Sequence, residues 1–230
     1  MVIAPQIWPV SFLGDAAILE RPEGRSRCER SKMRRAVFVD RDGVICRNRD
    51  DHVKSWEEFE FLPGALEALA RLAQSDLYIV VVTNQSVVNR HLVSPAVVKQ
   101  INERMVKAVT TEGGRIERVM WCPHRPEEGC ACRKPAPGML LRAAQELDID
   151  LSHSYVVGDA KSDVQAGRAA GCEHRYLVLT GRGRRQLWRC WWDGERGFHV
   201  VANLLGAARA ILGHERKLAA IPVAWSREGT

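Results

Sequence analysis

The stretches "FVDRDG", "VVTNQS", "CRKP" and "VVGDAKSD" place reactive side chains where apolar runs stop. Asp40 and Asp42 stand two residues apart at a glycine turn, and Asp159 and Asp163 stand four apart. Between these pairs come Thr83 and Asn84, a hydroxyl and an amide able to hold a phosphoryl oxygen, and Lys134, a point charge suited to phosphate. A carboxylate to attack, a second to move a proton, a lysine for phosphate charge and further acids for Mg²⁺ make a set for phosphoryl transfer through an aspartyl phosphate. Any one group alone reads as a solvated turn. Together they are hard to assign to turns.

The stretch "WCPHRPEEGCACRKP" carries a second chemistry. Cys122 and His124 form one pair and Cys130 and Cys132 another, with five residues between the pairs. Three thiolates and one imidazole suit a closed tetrahedral Zn²⁺ site, which leaves no open position and is therefore structural. The seven cysteines are an odd number with three in one loop, which fits metal binding in a reducing compartment better than a disulfide framework. Cys28, Cys46, Cys172 and Cys190 read as isolated thiols.

These groups need a frame. Buried strands are expected at 36–40, 77–84, 116–122, 154–159 and 174–181, and helices at 63–74, 94–114, 137–149 and 161–171, with a late strand and helix within 198–213. The alternation predicts an α/β fold, a doubly wound, Rossmann-like parallel sheet with helices on both faces. Ligands bind such sheets outside the carboxyl ends of the strands, where Asp40, Thr83, Cys122 and Asp159 fall. About forty residues separate Asp42 from Thr83 and about fifty separate Thr83 from Lys134, too few for a large cap domain. The walls of an open site are then the flap "CRNRDDHVKSWEEFEF" and the zinc loop.

The α/β domain is expected over 35–213, after a basic extension at 1–34 and before a tail at 214–230; Met33 is a second candidate start. The net charge of +6 is carried by the ends: +3 over 1–35, −2 over 36–181 and +5 over 182–230. No apolar run is long enough to cross a membrane, and residues 1–20 lack the pattern of a secretory signal. A cytoplasmic protein with no membrane partner is expected.

The four motifs, in this order, resemble the haloacid dehalogenase superfamily of phosphatases. The cues "VVTNQS", "CACRKPAPGMLL" and "FEFLPGALEAL" are similar to its heptose bisphosphate and histidinol-phosphate branch, over about residues 35–213. The resemblance implies that Asp40 is the nucleophile and Asp42 the general acid, then the base. It also implies that Mg²⁺ sits between Asp40, the Asp42 carbonyl and Asp159, with Asp163 as a further partner. Thr83, Asn84 and Lys134 would bind the transferring phosphoryl group, and Arg133, on the zinc loop, the distal phosphate.

Three positions depart from that branch's usual pattern. Val87 and His91 replace glycines around Arg90, Ala160 fills a lysine position, and "DHV" replaces Gly-Tyr-Val in the flap. All lie around the pocket. The implied activity is removal of the 7-phosphate of a heptose 1,7-bisphosphate by a monomeric, Mg²⁺-dependent enzyme whose partner is a small phosphorylated sugar. Histidinol phosphate or another small phosphomonoester is the neighbouring alternative. A zinc-containing nucleic-acid-binding or end-processing protein, using "RGRRQLWRCWW", is the alternative of another class.

Overall fold

The computed structural model describes residues 34–220, so the expected extension at 1–34 lies outside the described residues except for Arg34, as does the tail beyond 220. Six strands, β1 (Ala36–Val39), β2 (Tyr78–Asn84), β3 (Arg118–Cys122), β4 (Tyr155–Gly158), β5 (His174–Val178) and β6 (His199–Val201), form one sheet in the order 3-2-1-4-5-6. Every pairing is parallel. The order reverses between β1 and β4, so the crevice for a ligand opens beyond the carboxyl ends of these two strands.

Burial on both faces explains why the strands read as unbroken apolar runs. Along β1, Val37 and Val39 face one core, while Ala36 and Phe38 face the other; β2 divides Ile79 and Val81 from Val80 and Val82 in the same way. The first core is closed by α1 (Ala65–Ala73), α2 (Pro95–Thr111) and α6 (Leu204–Ala219); the second by α3 (Gly138–Leu147) and α4 (Lys161–Ala170). Ser94 caps α2 as its sequence predicts, accepting from the Val97 amide.

Two elements differ from expectation. Residues Gly183–Trp192 form a helix, α5, which packs Cys190 against Val164 and Leu177. Helix α6 runs through Gly213, because its next turn has partners. Glu215 accepts from Tyr155 Oη at 2.5 Å and from Arg35 at 2.9 Å. The flap is held down by Trp56, which stacks on Phe59, and by Phe61 at its edge.

Candidate active site

Asp40 leaves β1, Asp159 leaves β4, Asp163 lies in the first turn of α4, and Lys134 comes from the loop before α3. All four are at most 5 % exposed. The Lys134 ammonium lies 2.8 Å from Asp40 Oδ1 and 2.6 Å from Asp163 Oδ1, and donates to the Val82 carbonyl at 2.7 Å. The side chain of Asn84 fixes this lysine from behind: its amide accepts from the Lys134 N–H and donates to the Lys134 carbonyl, both at 3.1 Å. Asp163 Oδ2 also accepts from the Ala160 N–H at 2.9 Å, so it caps α4 and joins the cluster at once.

One lysine among three buried carboxylates leaves negative charge in excess. Burial, opposed by Lys134 and reinforced by Asp163 and Asp159, pushes Asp40 up to about 8. Burial and Asp163 push Asp159 up to about 6. Lys134 is held above its ordinary value, because Asp163 and Asp40 outweigh the effect of its burial. Oxygen atoms of Asp40, Asp159 and Asp163 lie within 4.8 Å of one another, and Asp159 Oδ1 is buried with no hydrogen-bond partner. Hard oxygen donors, excess negative charge and an orphaned carboxylate oxygen fit a divalent cation such as Mg²⁺.

The other oxygen of Asp159 sits in a clasp that the sequence reading did not find. The Arg182 N–H donates to Asp159 Oδ2 at 2.7 Å, and the Arg182 guanidinium lies 3.6 Å from it. Gly43, at φ +91°, and Gly181, at φ +55°, close on the same atom: a Cβ on either would come within 2.2 or 2.3 Å of it. Thr180 Oγ1 ties the two turns by donating to the Gly43 carbonyl at 2.7 Å.

Asp42 stands apart from that cluster. Its carboxylate accepts from Arg41 Nε and Nη2, both at 3.1 Å, from Gln85 Nε2 at 2.7 Å and from Thr83 Oγ1 at 3.2 Å. Burial would raise Asp42, but Arg41 and the hydrogen bonds from Gln85 and Thr83 bring it below its ordinary value. Arg41 is fully buried, bonded through Nη1 to Asn102 at 3.0 Å, and lies over the Phe59 ring. Neither Arg41 nor Gln85 was assigned a role from sequence, although both sit inside quoted motifs. Nothing in a turn-like "DRDG" signals a buried arginine.

In the neighbouring loop, the sulfur and Nδ1 atoms of Cys122, His124, Cys130 and Cys132 gather with five separations between 3.2 and 3.6 Å. These are far beyond the roughly 2.05 Å of a disulfide. They are slightly inside the roughly 3.8 Å edge of a tetrahedron drawn at normal Zn–S length. Hydrogen bonding with Cys122, then with Cys130 and His124, pulls Cys132 down to about 5 against the effect of burial. The donor set fits Zn²⁺. Arg133 does not reach the carboxylate cluster by any hydrogen bond; it donates to the His124 carbonyl at 2.9 Å, bracing the loop.

Of the altered pocket residues, Val87 is buried and keeps an ordinary backbone, whereas His91 and His52 take left-handed φ values of 56° and 65°.

The profile of "haloacid dehalogenase-like hydrolase" matches residues 10–168, and a second, "HAD-hyrolase-like", matches 131–207. A D-glycero-beta-D-manno-heptose-1,7-bisphosphate 7-phosphatase of Bordetella bronchiseptica is 44% identical over 66% of this chain and 84% of its own length. One of Pseudomonas aeruginosa is 38% identical over 76% and 97%. The crystal structure of the D,D-heptose 1,7-bisphosphate phosphatase from B. bronchiseptica, complexed with magnesium and phosphate, superposes with a TM-score of 0.74. It is 40% identical and covers 78% of this chain and 99% of its own.

Proposed function

The chain belongs to the haloacid dehalogenase-like hydrolases and is a phosphatase, and from that premise we propose that it removes the 7-phosphate of D-glycero-D-manno-heptose 1,7-bisphosphate through an aspartyl phosphate on Asp40. The observation that carries the reading is the buried set of Asp40, Lys134, Asp159 and Asp163 at the strand-order reversal. The relatives' printed names supply the substrate.

Asp40 points its carboxylate into the crevice at the end of β1, where it attacks phosphorus as the bond to the sugar oxygen breaks. Asp42 gives a proton to the departing oxygen. It then takes one from the water that attacks the acyl phosphate, so that the sugar alcohol and inorganic phosphate leave and Asp40 is restored. The pairing of Asp42 with Arg41, Gln85 and Thr83 holds it as the carboxylate the second step needs. The first step requires that this pairing loosen as the sugar enters. Lys134 neutralises the transferring group, and Asn84 acts by holding Lys134 in place.

Asp40, Asp159, the Asp42 carbonyl and Asp163 would hold Mg²⁺, which lowers the charge repulsion between carboxylate and phosphate. Cys122, His124, Cys130 and Cys132 would hold Zn²⁺ and give the loop one shape, from which Lys134 projects while Arg133 braces the loop on the His124 carbonyl.

The test is phosphate release from a panel of both anomers of heptose 1,7-bisphosphate, histidinol phosphate and a 5′-phosphorylated oligonucleotide. The reading expects a kcat/KM for one heptose anomer at least about a hundredfold above the others, a discrimination of about 3 kcal/mol. Preferred turnover of histidinol phosphate or of the oligonucleotide would reject it.

A further inference from the structure

Six large apolar side chains are strongly exposed among the described residues, and four of them, Trp188, Trp191, Trp192 and Val200, belong to α5 and the neighbouring edge strand β6. The three indoles are 72, 59 and 92 % exposed. Helix α5 buries Gly183, Gln186 and Cys190, so Arg184, Arg185 and Arg189 share the outward face with the tryptophans. Among the described residues, no carboxylate pairs with these three arginines or with the exposed Arg196 beside them. The nearby Asp193 and Glu195 are taken by Lys161 and Arg168. Beside Trp191, an open cleft of about 550 Å³ is lined by Glu195, Arg196, Gly197, Phe198 and Val200.

Clustered exposed indoles are rare on a free surface and mark an interaction site, and arginines around them with no carboxylate partner among the described residues point to an anionic partner. A second copy of this chain does not fit, because apposing two such faces would bring eight arginines together. A single nucleic-acid strand fits less well than a flat surface. Trp188 and Trp191 meet at 72° with centroids 5.7 Å apart, so their faces cannot carry successive stacked bases. Residues 36–181 carry a net −2, so the excess positive charge of the described residues lies within 182–220. Indoles at the water boundary with arginines alongside are the chemistry of a membrane interface.

We propose that the outward face of α5, with Trp188, Trp191 and Trp192 beside Arg184, Arg185, Arg189 and Arg196, is a peripheral docking surface for an anionic lipid bilayer. No helix among the described residues is long and apolar enough to cross a membrane, so the association is at the surface. It departs from the sequence-based expectation of no membrane partner. The helix starts at Gly183, next to Arg182 on Asp159, and carries its indoles from about 8 to about 14 Å along its axis.

The test uses the full chain with sedimented vesicles of phosphatidylcholine, alone or with about one quarter phosphatidylglycerol. Sedimentation with the anionic vesicles, a blue shift of tryptophan emission, and loss of both as salt rises are expected. Arg184→Gln with Arg185→Gln should weaken binding about thirtyfold, at about fivefold per arginine. Trp188→Ala with Trp192→Ala should abolish the blue shift, and both variants should keep wild-type phosphatase kinetics. The proposal is overturned by equal binding to neutral vesicles, by no sedimentation at all, or by binding that survives both variants. It is also overturned if a single-stranded oligonucleotide binds more tightly than the vesicles and is lost in the same variants.

Discussion

Replacing Gly43 by alanine puts one methyl group where the structure has no room for it. The new Cβ would stand 2.2 Å from Asp159 Oδ2 and 2.6 Å from its Cγ, on a backbone at φ +91°. Ordinary contact needs about 3.4 Å or more, so Asp159 must retreat by about 1 Å or the turn must open. Asp159 cannot retreat freely, because the Arg182 N–H holds the same oxygen from the other side. A misplacement of about 1 Å in a catalytic constellation costs about a hundredfold in rate. The left-handed backbone adds strain of about 1–2 kcal/mol, a fall in Tm of about 2–8 °C for a chain of this size. Steady-state phosphate release at varied Mg²⁺, with a thermal melt on the same protein, reads both effects. A G43A variant with kcat within about threefold of wild type and unchanged Mg²⁺ dependence would refute the clasp around Asp159.

Other expectations follow from the same contacts. Lys134→Met leaves two buried carboxylates without their shared cation, and kcat should fall by about 10²–10³, as for loss of one transition-state donor. Arg182→Ala keeps the backbone bond to Asp159 but removes the guanidinium, so Mg²⁺ affinity by calorimetry should change with little change in fold. Burial raises Asp40 from 3.8 to about 8 and Asp159 to about 6. Folded values above the unfolded ones mean that these two groups favour the Mg²⁺-free fold most below 3.8, and that this contribution is lost as pH rises to about 6 for Asp159 and about 8 for Asp40. The melting temperature of the Mg²⁺-free protein should fall across that window and Mg²⁺ should restore it, with protons released on binding. Cys132→Ser should abolish tight zinc retention, which metal analysis of the purified protein measures as about one Zn per chain in the wild type.

The parts of the fold most legible in the sequence are those whose residues face two buried layers. Strands β1, β2 and β4 read as unbroken apolar runs because α1, α2 and α6 cover one side and α3 and α4 the other. Their terminal residues drew attention as a group because strand ends in such a sheet are where ligands bind. Helix α5 escaped notice because its outward face interleaves arginine and tryptophan, and Gly183, Gln186 and Cys190 make no apolar stripe. The continuation of α6 past Gly213 depends on Arg35 and Tyr155, distant in sequence. Arg182 lies more than a hundred residues from Gly43, so their meeting at Asp159 exists only in the folded chain. Arg41 is the opposite case: adjacent to Asp42 and visible, yet its burial over Phe59 has no mark in a turn sequence.

The central claim is that the Asp40 carboxylate forms a bond to phosphorus. Rapid acid quench during turnover of heptose 1,7-bisphosphate, followed by borohydride reduction, converts an acyl phosphate on aspartate to homoserine, which peptide mass spectrometry locates. Homoserine is expected at position 40, only when substrate and Mg²⁺ are both present. No homoserine at position 40 in that quench, together with near wild-type turnover by Asp40→Asn, would contradict it.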